Sequence, residues 1–285
     1  MIRQFCQSPA LRRLLASMAG RIGLGLTSFL GGAAVLAPFL NPYNPAQDRN
    51  YAIRLQAPNG AHWFGLDGLG RDIFTQVWYG IRTSLEISLI SVLLGLLAGV
   101  LLGLLAGYFR GWVDGVIGWL TDVMLAFPSI LLAIAVVTVT GPSRISVMVA
   151  VGLVQVPKFI RLTRSLTLSL REQAFVQAAQ AFGAGPGRIM ARHLLPACLS
   201  ALTVQATLAI GTATLEAAGL GFLGLGTQPP APELGTMLSD AFKGGYSLSA
   251  PWTILFPGLF ITLMVLAFTL LGDGLRDALH PPRRL

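Results

Sequence analysis

The sequence has little charge. Only 11% of its 285 residues are Asp, Glu, Lys or Arg, whereas 54% are hydrophobic. An ordinary soluble domain carries about 25% charged residues. The composition therefore excludes a typical soluble protein and predicts a membrane protein, in which the net charge of +8 reflects the placement of basic loops rather than a nucleic-acid surface.

Lysine is scarce too, and catalytic motifs are missing. Neither Lys158 nor Lys243 stands in the Gly-Lys-Ser/Thr sequence of a P-loop, so the chain carries no standard P-loop. If the protein depends on ATP, the ATPase is a separate polypeptide. The sequence has no HExxH motif and no nucleophile elbow. His62, His193 and His280 are too scattered to form one metal site, so we expect no catalytic, cofactor or metal residues in this chain.

Long apolar runs are what the sequence does have. A membrane span needs about 20 mainly apolar residues, and six candidates lie at about 21–40, 83–107, 116–140, 145–163, 199–222 and 252–272. The fourth is interrupted by Gln155, Pro157 and Lys158. We predict an all-α polytopic helix bundle, with an N-terminal tail, first anchor and outer segment in 1–82 and a transmembrane core in 83–285.

The basic residues predict the orientation. A cytoplasmic N-terminus places most of the 20 Lys and Arg residues on the inner side, as the positive-inside rule requires. Lys158 is counted with this inner group. Both termini and the segment between the fourth and fifth spans are then cytoplasmic. The outer segments, 41–82 with NPYNP and 223–251 with QPPAP, have loop composition and are candidates to receive an extracytoplasmic binding protein.

A polar, basic stretch over 171–196 separates the fourth span from the fifth. Glu172 opens a helical pattern there, and an apolar stripe recurs at helical spacing on Phe175, Ala178, Ala179 and Phe182. A glycine-rich break starts at Gly183, and a second short helix is expected over 188–195, ending at Pro196. We call this predicted helix-turn-helix the elbow, and its exposed stripe indicates a docking surface for a partner protein.

The elbow also carries a recognisable motif. Gln177-Ala178-Ala179, then Gly183, then Leu195-Pro196 resembles the loop of bacterial ABC importer membrane subunits usually written EAA, three residues, G and a later LP; Gln177 stands where that motif has Glu. Further matches resemble the dipeptide, oligopeptide and nickel permeases: His62 to Asp67 with Gly70-Arg71-Asp72, Ala126 to Ser129, Phe222 to Gly226, and Leu271 to Asp277.

This resemblance implies a permease subunit of the bacterial inner membrane that forms half of a peptide pathway. It implies a homologous second permease subunit, two cytoplasmic ATPases that bind ATP and Mg, and an extracytoplasmic substrate-binding protein. The coupling residues would be Phe175, Gln177, Ala178, Ala179, Phe182, Gly183, Leu195 and Pro196. Nickel, metal chelates, opines and glutathione stay open as substrates, and an ion-driven secondary transporter is the alternative of a different class.

Glycines and acids in the spans complete the candidates. Glycines recur every four residues from Gly95 to Gly115, which predicts close packing between helices. The G-x-G-x-x-G of 219–224 lacks a βαβ context and more simply ends the fifth span. Among the acids, Glu86, Asp122 and Asp273 lie near predicted span ends and are expected to be structural. Glu216 is the candidate pathway residue, because intramembrane acids are costly.

Overall fold

The computed structural model describes residues 9–40 and 48–279, and in these ranges the chain is helical, without strands. The helices are α1 (Pro9–Ala16), α2 (Met18–Leu40), α3 (Ile73–Phe109), α4 (Gly111–Ala126), α5 (Ser129–Thr140), α6 (Arg144–Arg171), α7 (Ala174–Ala181), α8 (Pro186–Ile189), α9 (Leu195–Phe222), α10 (Leu234–Lys243) and α11 (Trp252–Leu279). A short 3₁₀ turn spans Tyr51–Ile53, and a π-helical segment, Met190–Leu194, joins α8 to α9.

Five of these helices, α2, α3, α6, α9 and α11, are long and apolar enough to cross a membrane. The bent pair of α4 and α5 is apolar enough to count as a sixth candidate if its two helices are taken as one span. The predicted membrane bundle is therefore confirmed. The second span begins at Ile73 rather than at residue 83, so the proposed boundary at 82/83 falls inside α3. The division into two units stays a prediction.

The candidate third span, 116–140, is divided into two helices, a break that the span assignment did not anticipate. α4 and α5 meet at an angle of 94°. Phe127 is extended between them, with φ −91° and ψ 139°, and Pro128 follows. A proline ring disfavours the helical conformation of the residue before it. The break therefore follows from Phe127-Pro128, although the residues on both sides are apolar enough to read as one span.

The glycine ridge packs α3 against α6. A Cβ atom added at Gly99 would lie 2.4 Å from the Cβ of Phe159, and one added at Gly103 would lie 2.6 Å from the Cβ of Thr163. Gly95 faces Gln155 and Gly107 faces Thr167 in the same way. The two helices therefore run parallel and contact each other once every four residues. Close backbone approach of this kind is what small residues allow in membrane helices.

The ridge ends where α3 ends. Arg110 has a left-handed φ of 55°, and the chain turns there into α4. An added Cβ at Gly111 or Gly115 would meet nothing within 4 Å. The packing prediction therefore holds from Gly95 to Gly107 and not for the last two glycines of the series.

The two predicted outer segments contact each other, with Arg71 Nη2 3.8 Å from Asp240 Oδ2, and the first of them also packs on α11. Trp252 donates its indole N–H to the backbone oxygen of Leu66 at 3.1 Å, and Phe64 stacks on Phe256 with ring centroids 3.9 Å apart. Asp67 accepts hydrogen bonds from Arg71 Nε at 2.7 Å and from the Gln76 side chain. The NPYNP stretch lies outside the described residues.

Candidate functional site

The first helix of the elbow starts two residues later than the sequence pattern indicated. α6 continues to Arg171, and Glu172 ends that helix instead of opening the next one. α7 then begins at Ala174 after Gln173. The Gln177 side chain donates to the backbone oxygen of Glu172 at 3.2 Å, so the residue that replaces the Glu of the motif holds the junction between the two helices.

Gly183 sets the turn after α7. Its φ is +79°, in the left-handed region that glycine adopts without steric cost. Its N–H donates to the oxygen of Gln180 at 2.9 Å, and the N–H of Ala184 donates to the oxygen of Ala179 at 3.0 Å. This paired pattern is a Schellman motif. The angle between α7 and α8 therefore depends on a backbone conformation that other residues adopt only at a cost.

The elbow has a buried side and an exposed side. Val176, Ile189 and Leu194 are fully buried and pack with Leu104 of α3. On the other side Phe182 is 92% exposed, and Phe175 and Ala178 are exposed as well. Burial of the first group fixes the elbow on the bundle, while the second group leaves an apolar surface that this chain does not cover.

Polar contacts also anchor the elbow to the end of α3. Arg171 donates from Nη1 to the backbone oxygen of Tyr108 at 2.6 Å, and its guanidinium lies 5.7 Å from the centre of that ring. Arg110 donates to Glu172 at 2.8 Å. These contacts tie the elbow to the end of α3, next to the interface between α3 and α6.

The second half of the elbow does not stop at Pro196, which corrects our expectation for Leu195-Pro196. The chain stays helical from α8 through the π-helical segment into α9. The N–H of Leu195 donates to the oxygen of Met190, five residues earlier. Pro196 has no N–H and lies in the first turn of α9, where a missing donor is tolerated. The wider π turn accommodates the ring and keeps the helix continuous.

Three intramembrane or near-membrane acids pair with arginines. Glu86 contacts Arg144 at the first residue of α6, and Asp122 contacts Arg161 at 3.3 Å. Asp114 forms a two-point contact with Arg164, with Nη2 and Oδ2 2.7 Å apart. These pairs support a structural role for Glu86 and Asp122. Asp273 is exposed in α11.

Glu216 lies in a polar cluster that joins three helices. Its carboxylate is 3.6 Å from Lys158 Nζ and accepts a hydrogen bond from Gln155 Nε2 at 3.0 Å, both from α6. The Ser129 side chain, at the start of α5, lies close enough to Glu216 to contribute to its electrostatic environment. Lys158, which the charge count assigned to the inner side, thus lies at the midpoint of a spanning helix. The only sequence signal for this position of Lys158 was the interruption of the fourth candidate span.

One buried acid, Glu233, was not among the residues that the sequence pattern indicated. Glu233 is 1% exposed and caps α10, accepting from the N–H groups of Gly235 at 2.8 Å and Thr236 at 2.9 Å and from Ser84 at 3.3 Å. Burial, opposed by these bonds, raises the pKa of Glu233 to about 7. Glutamate is not among the preferred N-cap residues, so the usual capping signal was missing.

The described histidines and the G-x-G-x-x-G sequence lie in separate parts of the structure. His62 contacts Asp72 at 3.1 Å in the outer segment, and His193 lies in the π-helical segment. His280 is outside the described residues. Gly224, the last glycine of the G-x-G-x-x-G sequence, has a φ of +83° and ends α9 in a second Schellman motif, so this sequence terminates a helix.

Comparison with known proteins decides the family. The profile described as "Binding-protein-dependent transport system inner membrane component" matches residues 99–285, and that of the "N-terminal TM domain of oligopeptide transport permease C" matches residues 8–58. The chain belongs to the binding-protein-dependent inner membrane component family. It is thus a multi-pass membrane permease subunit, as its motifs implied.

Two curated relatives span most of the chain. A dipeptide transport system permease protein from Alkalihalophilus pseudofirmus is 50% identical over 272 residues, which cover 95% of this chain and 88% of that one. A glutathione transport system permease protein from Pectobacterium atrosepticum is 45% identical over 271 residues, with the same coverage of both chains.

A solved structure shares the fold. The MetNI methionine ABC transporter in an inward-facing conformation matches with a TM-score of 0.59 over 71% of this chain and 96% of the matched chain. The sequence identity is 20%, so this likeness concerns the fold alone.

Proposed function

We propose that this permease subunit forms half of the pathway of an ATP-driven importer for di- and oligopeptides. The 50% identity to a dipeptide permease over nearly the whole chain supports the substrate class. In this proposal a homologous second permease completes the pathway, an extracytoplasmic binding protein delivers the substrate, and two cytoplasmic ATPases bind ATP and Mg. This chain contributes no catalytic group, and both of its termini are cytoplasmic.

The observation that carries the proposal is the two-sided elbow. Its apolar outer face, centred on Phe175 and Phe182, belongs to a segment whose other face is buried against α3. An exposed apolar helix face of this size is suited to a groove in another protein. The contacts of Arg171 and Glu172 then give a direct route from a docked ATPase to the spanning helices.

Mechanically, the proposal is alternating access. Closure of the ATPase pair on ATP would move the seated elbows, and the continuous helix from Pro186 to Phe222 would carry that movement into the membrane. Gly183 would hold α7 at the angle required for seating. Phe175, Gln177, Ala178, Ala179 and Phe182 would form or support the seated face. Leu195 and Pro196 would transmit its movement within the helix instead of ending it.

The test is a matched pair of charge insertions. Phe182→Asp and Leu248→Asp alter side chains that are 92% and 94% exposed, but Leu248 belongs to the predicted outer segment. We expect Phe182→Asp, and likewise Ala178→Asp, to abolish co-purification of the ATPases and ATP-dependent uptake. Leu248→Asp should retain the ATPases. Equal retention by Phe182→Asp would contradict the docking role.

Orientation needs its own measurement. A cysteine at position 182 should react with an impermeant thiol reagent only from the cytoplasmic side, and one at position 248 only from outside. External labelling at 182 would overturn the scheme. Uptake by the purified chain in liposomes without ATP would instead support the ion-driven alternative.

Glutathione is the second candidate substrate, favoured by the 45% identity to a glutathione permease. Substrate choice in such a system is expected to lie largely in the binding protein. Calorimetric titration of the partner binding protein with dipeptides and with glutathione would decide between them, and exclusive binding of glutathione would remove the peptide assignment.

A further inference from the structure

The cluster of Ser129, Gln155, Lys158 and Glu216 lies where the broken third span meets α6 and α9. We infer that it is a substrate-contacting site for the charged ends of a zwitterionic peptide, with Lys158 facing the carboxylate and Glu216 the ammonium group. This inference rests on the proposed peptide transport and assigns the residues that would recognise the substrate within the membrane.

The position of Lys158 indicates which face of the subunit is wet. It lies at the midpoint of α6 (Arg144–Arg171), about 21 Å from the outer end at 1.5 Å per residue, inside a hydrocarbon core of about 30 Å. Its side chain is nevertheless 34% exposed. An ammonium group exposed to lipid at this depth is costly. Placement of the exposed part of Lys158 against water, substrate or the second subunit avoids this cost.

The rest of α6 agrees with this assignment. Toward the inner end, the exposed positions that follow Lys158 at helical spacing are Arg161, Ser165 and Ser169, all polar. Toward the outer end, the exposed positions are Ile145, Val149 and Leu153, all apolar. A polar strip thus runs from the cluster to the inner end of the helix, as expected of an aqueous route that begins at Lys158.

Gln155 shows that the cluster has hydrogen-bonding capacity left. It is fully buried, and its Nε2 is committed to Glu216. Its Oε1 is buried and accepts no hydrogen bond from the residues that the structure describes. A buried acceptor of this kind costs free energy unless a donor reaches it, and the N–H of a peptide bond or an ammonium group is such a donor.

The chemistry of the cluster favours a zwitterion. A Lys–Glu pair carries one charge of each sign, so it offers a countercharge to both ends of a free peptide and adds no net charge to the route. Entry of the peptide exchanges one ion pair for two and leaves no charge unpaired, which matters because unpaired charges are costly in a low dielectric. Glu216 also lies close to Ser129, the first residue of α5, and the positive N-terminal end of a helix in a broken span favours an anionic group beside it.

A charge swap separates recognition from structural support. The importer, assembled with its partner permease, ATPases and binding protein, is reconstituted in proteoliposomes, and labelled dialanine is the probe. The double variant Lys158→Glu with Glu216→Lys keeps an ion pair but reverses the polarity that the substrate meets. We expect it to assemble and to hydrolyse ATP, with uptake lowered about tenfold or more, as when a buried charge loses its countercharge.

The control is the same swap at the outer end of α6, Glu86→Arg with Arg144→Glu, which should retain uptake. Wild-type uptake by the Lys158 and Glu216 swap would overturn the inference and leave the proposed function intact. Failure of the wild-type importer to move dialanine, with active ATPases, would instead refute the proposed function, and the inference with it.

A labelling experiment keeps the inference testable if the swap does not assemble. In a chain with Cys6 and Cys198 replaced, Ser165→Cys introduces a thiol on the exposed polar strip of α6, about two turns beyond Lys158, and leaves the Lys158–Glu216 pair intact. This thiol should react with a cationic thiol reagent, and turnover with dialanine should slow that reaction. Leu153→Cys, on the exposed apolar part of α6, should react slowly and show no effect of dialanine. No reaction of Ser165→Cys, or a rate that dialanine does not change, would refute a substrate route past the cluster.

Discussion

Replacement of Gly99 by alanine should separate α3 from α6. The new Cβ would lie 2.4 Å from the Cβ of Phe159 and 2.8 Å from the backbone oxygen of Val156. Carbon atoms in good contact are about 3.5–4.0 Å apart, so the helices must move apart by about 1 Å. Overpacking of this kind costs about 1–3 kcal/mol, and here backbone, rather than a flexible side chain, must yield.

Gly115→Ala is the matched control. Gly115 is also helical, but an added Cβ meets nothing within 4 Å. Both variants gain the helix propensity of alanine, about 1 kcal/mol, so the difference between them reports the clash alone. At about 2–4 °C per kcal/mol, Gly99→Ala should melt several degrees below Gly115→Ala in detergent, followed by circular dichroism. Equal melting temperatures would refute the ridge packing.

Two further predictions concern Gly183 in the elbow and Glu233, which caps α10. Gly183→Ala should lower uptake while ATP hydrolysis continues, because a left-handed φ costs a non-glycine residue about 1–2 kcal/mol; Gly185→Ala, at φ −70°, should not, and coupled uptake in both would contradict the role of the turn. For Glu233, the folded state binds the proton more tightly than the unfolded chain, so its contribution to stability falls as pH rises from about 4.5 to about 7. The protection factors of the α10 amides, which are corrected for the intrinsic rise of exchange with pH, should fall over that range in the wild type and not in Glu233→Gln; an equal pH dependence of the protection factors in both would refute this assignment.

The spans and the elbow could be predicted because hydropathy and helical periodicity are local properties. Pro128 was visible in the sequence, but apolar residues on both sides of it concealed a bend of 94°. Pro196 was expected to end a helix, but the helix continues through it, because the preceding π turn accommodates a residue without an N–H. Proline marks a point of possible disruption, and the surrounding packing decides the outcome.

The pairing of Lys158 with Glu216 could not be predicted from the sequence, for a different reason. Lys158 reads as an interruption of a weak span, and Glu216 reads as an isolated acid in the next spanning helix. Their pairing depends on how α6 and α9 cross, which no local pattern encodes. The same holds for Glu233, whose partner Ser84 lies 149 positions earlier in the chain.

The unbroken helix from Pro186 to Phe222 has a mechanical consequence. Its 37 residues make a lever about 55 Å long. Glu216 lies near the far end, so a small tilt imposed at Pro186 becomes a displacement of several ångströms beside Lys158. A stiffer or looser π-helical segment at Met190–Leu194 would then change how far Glu216 moves for a given movement of the elbow.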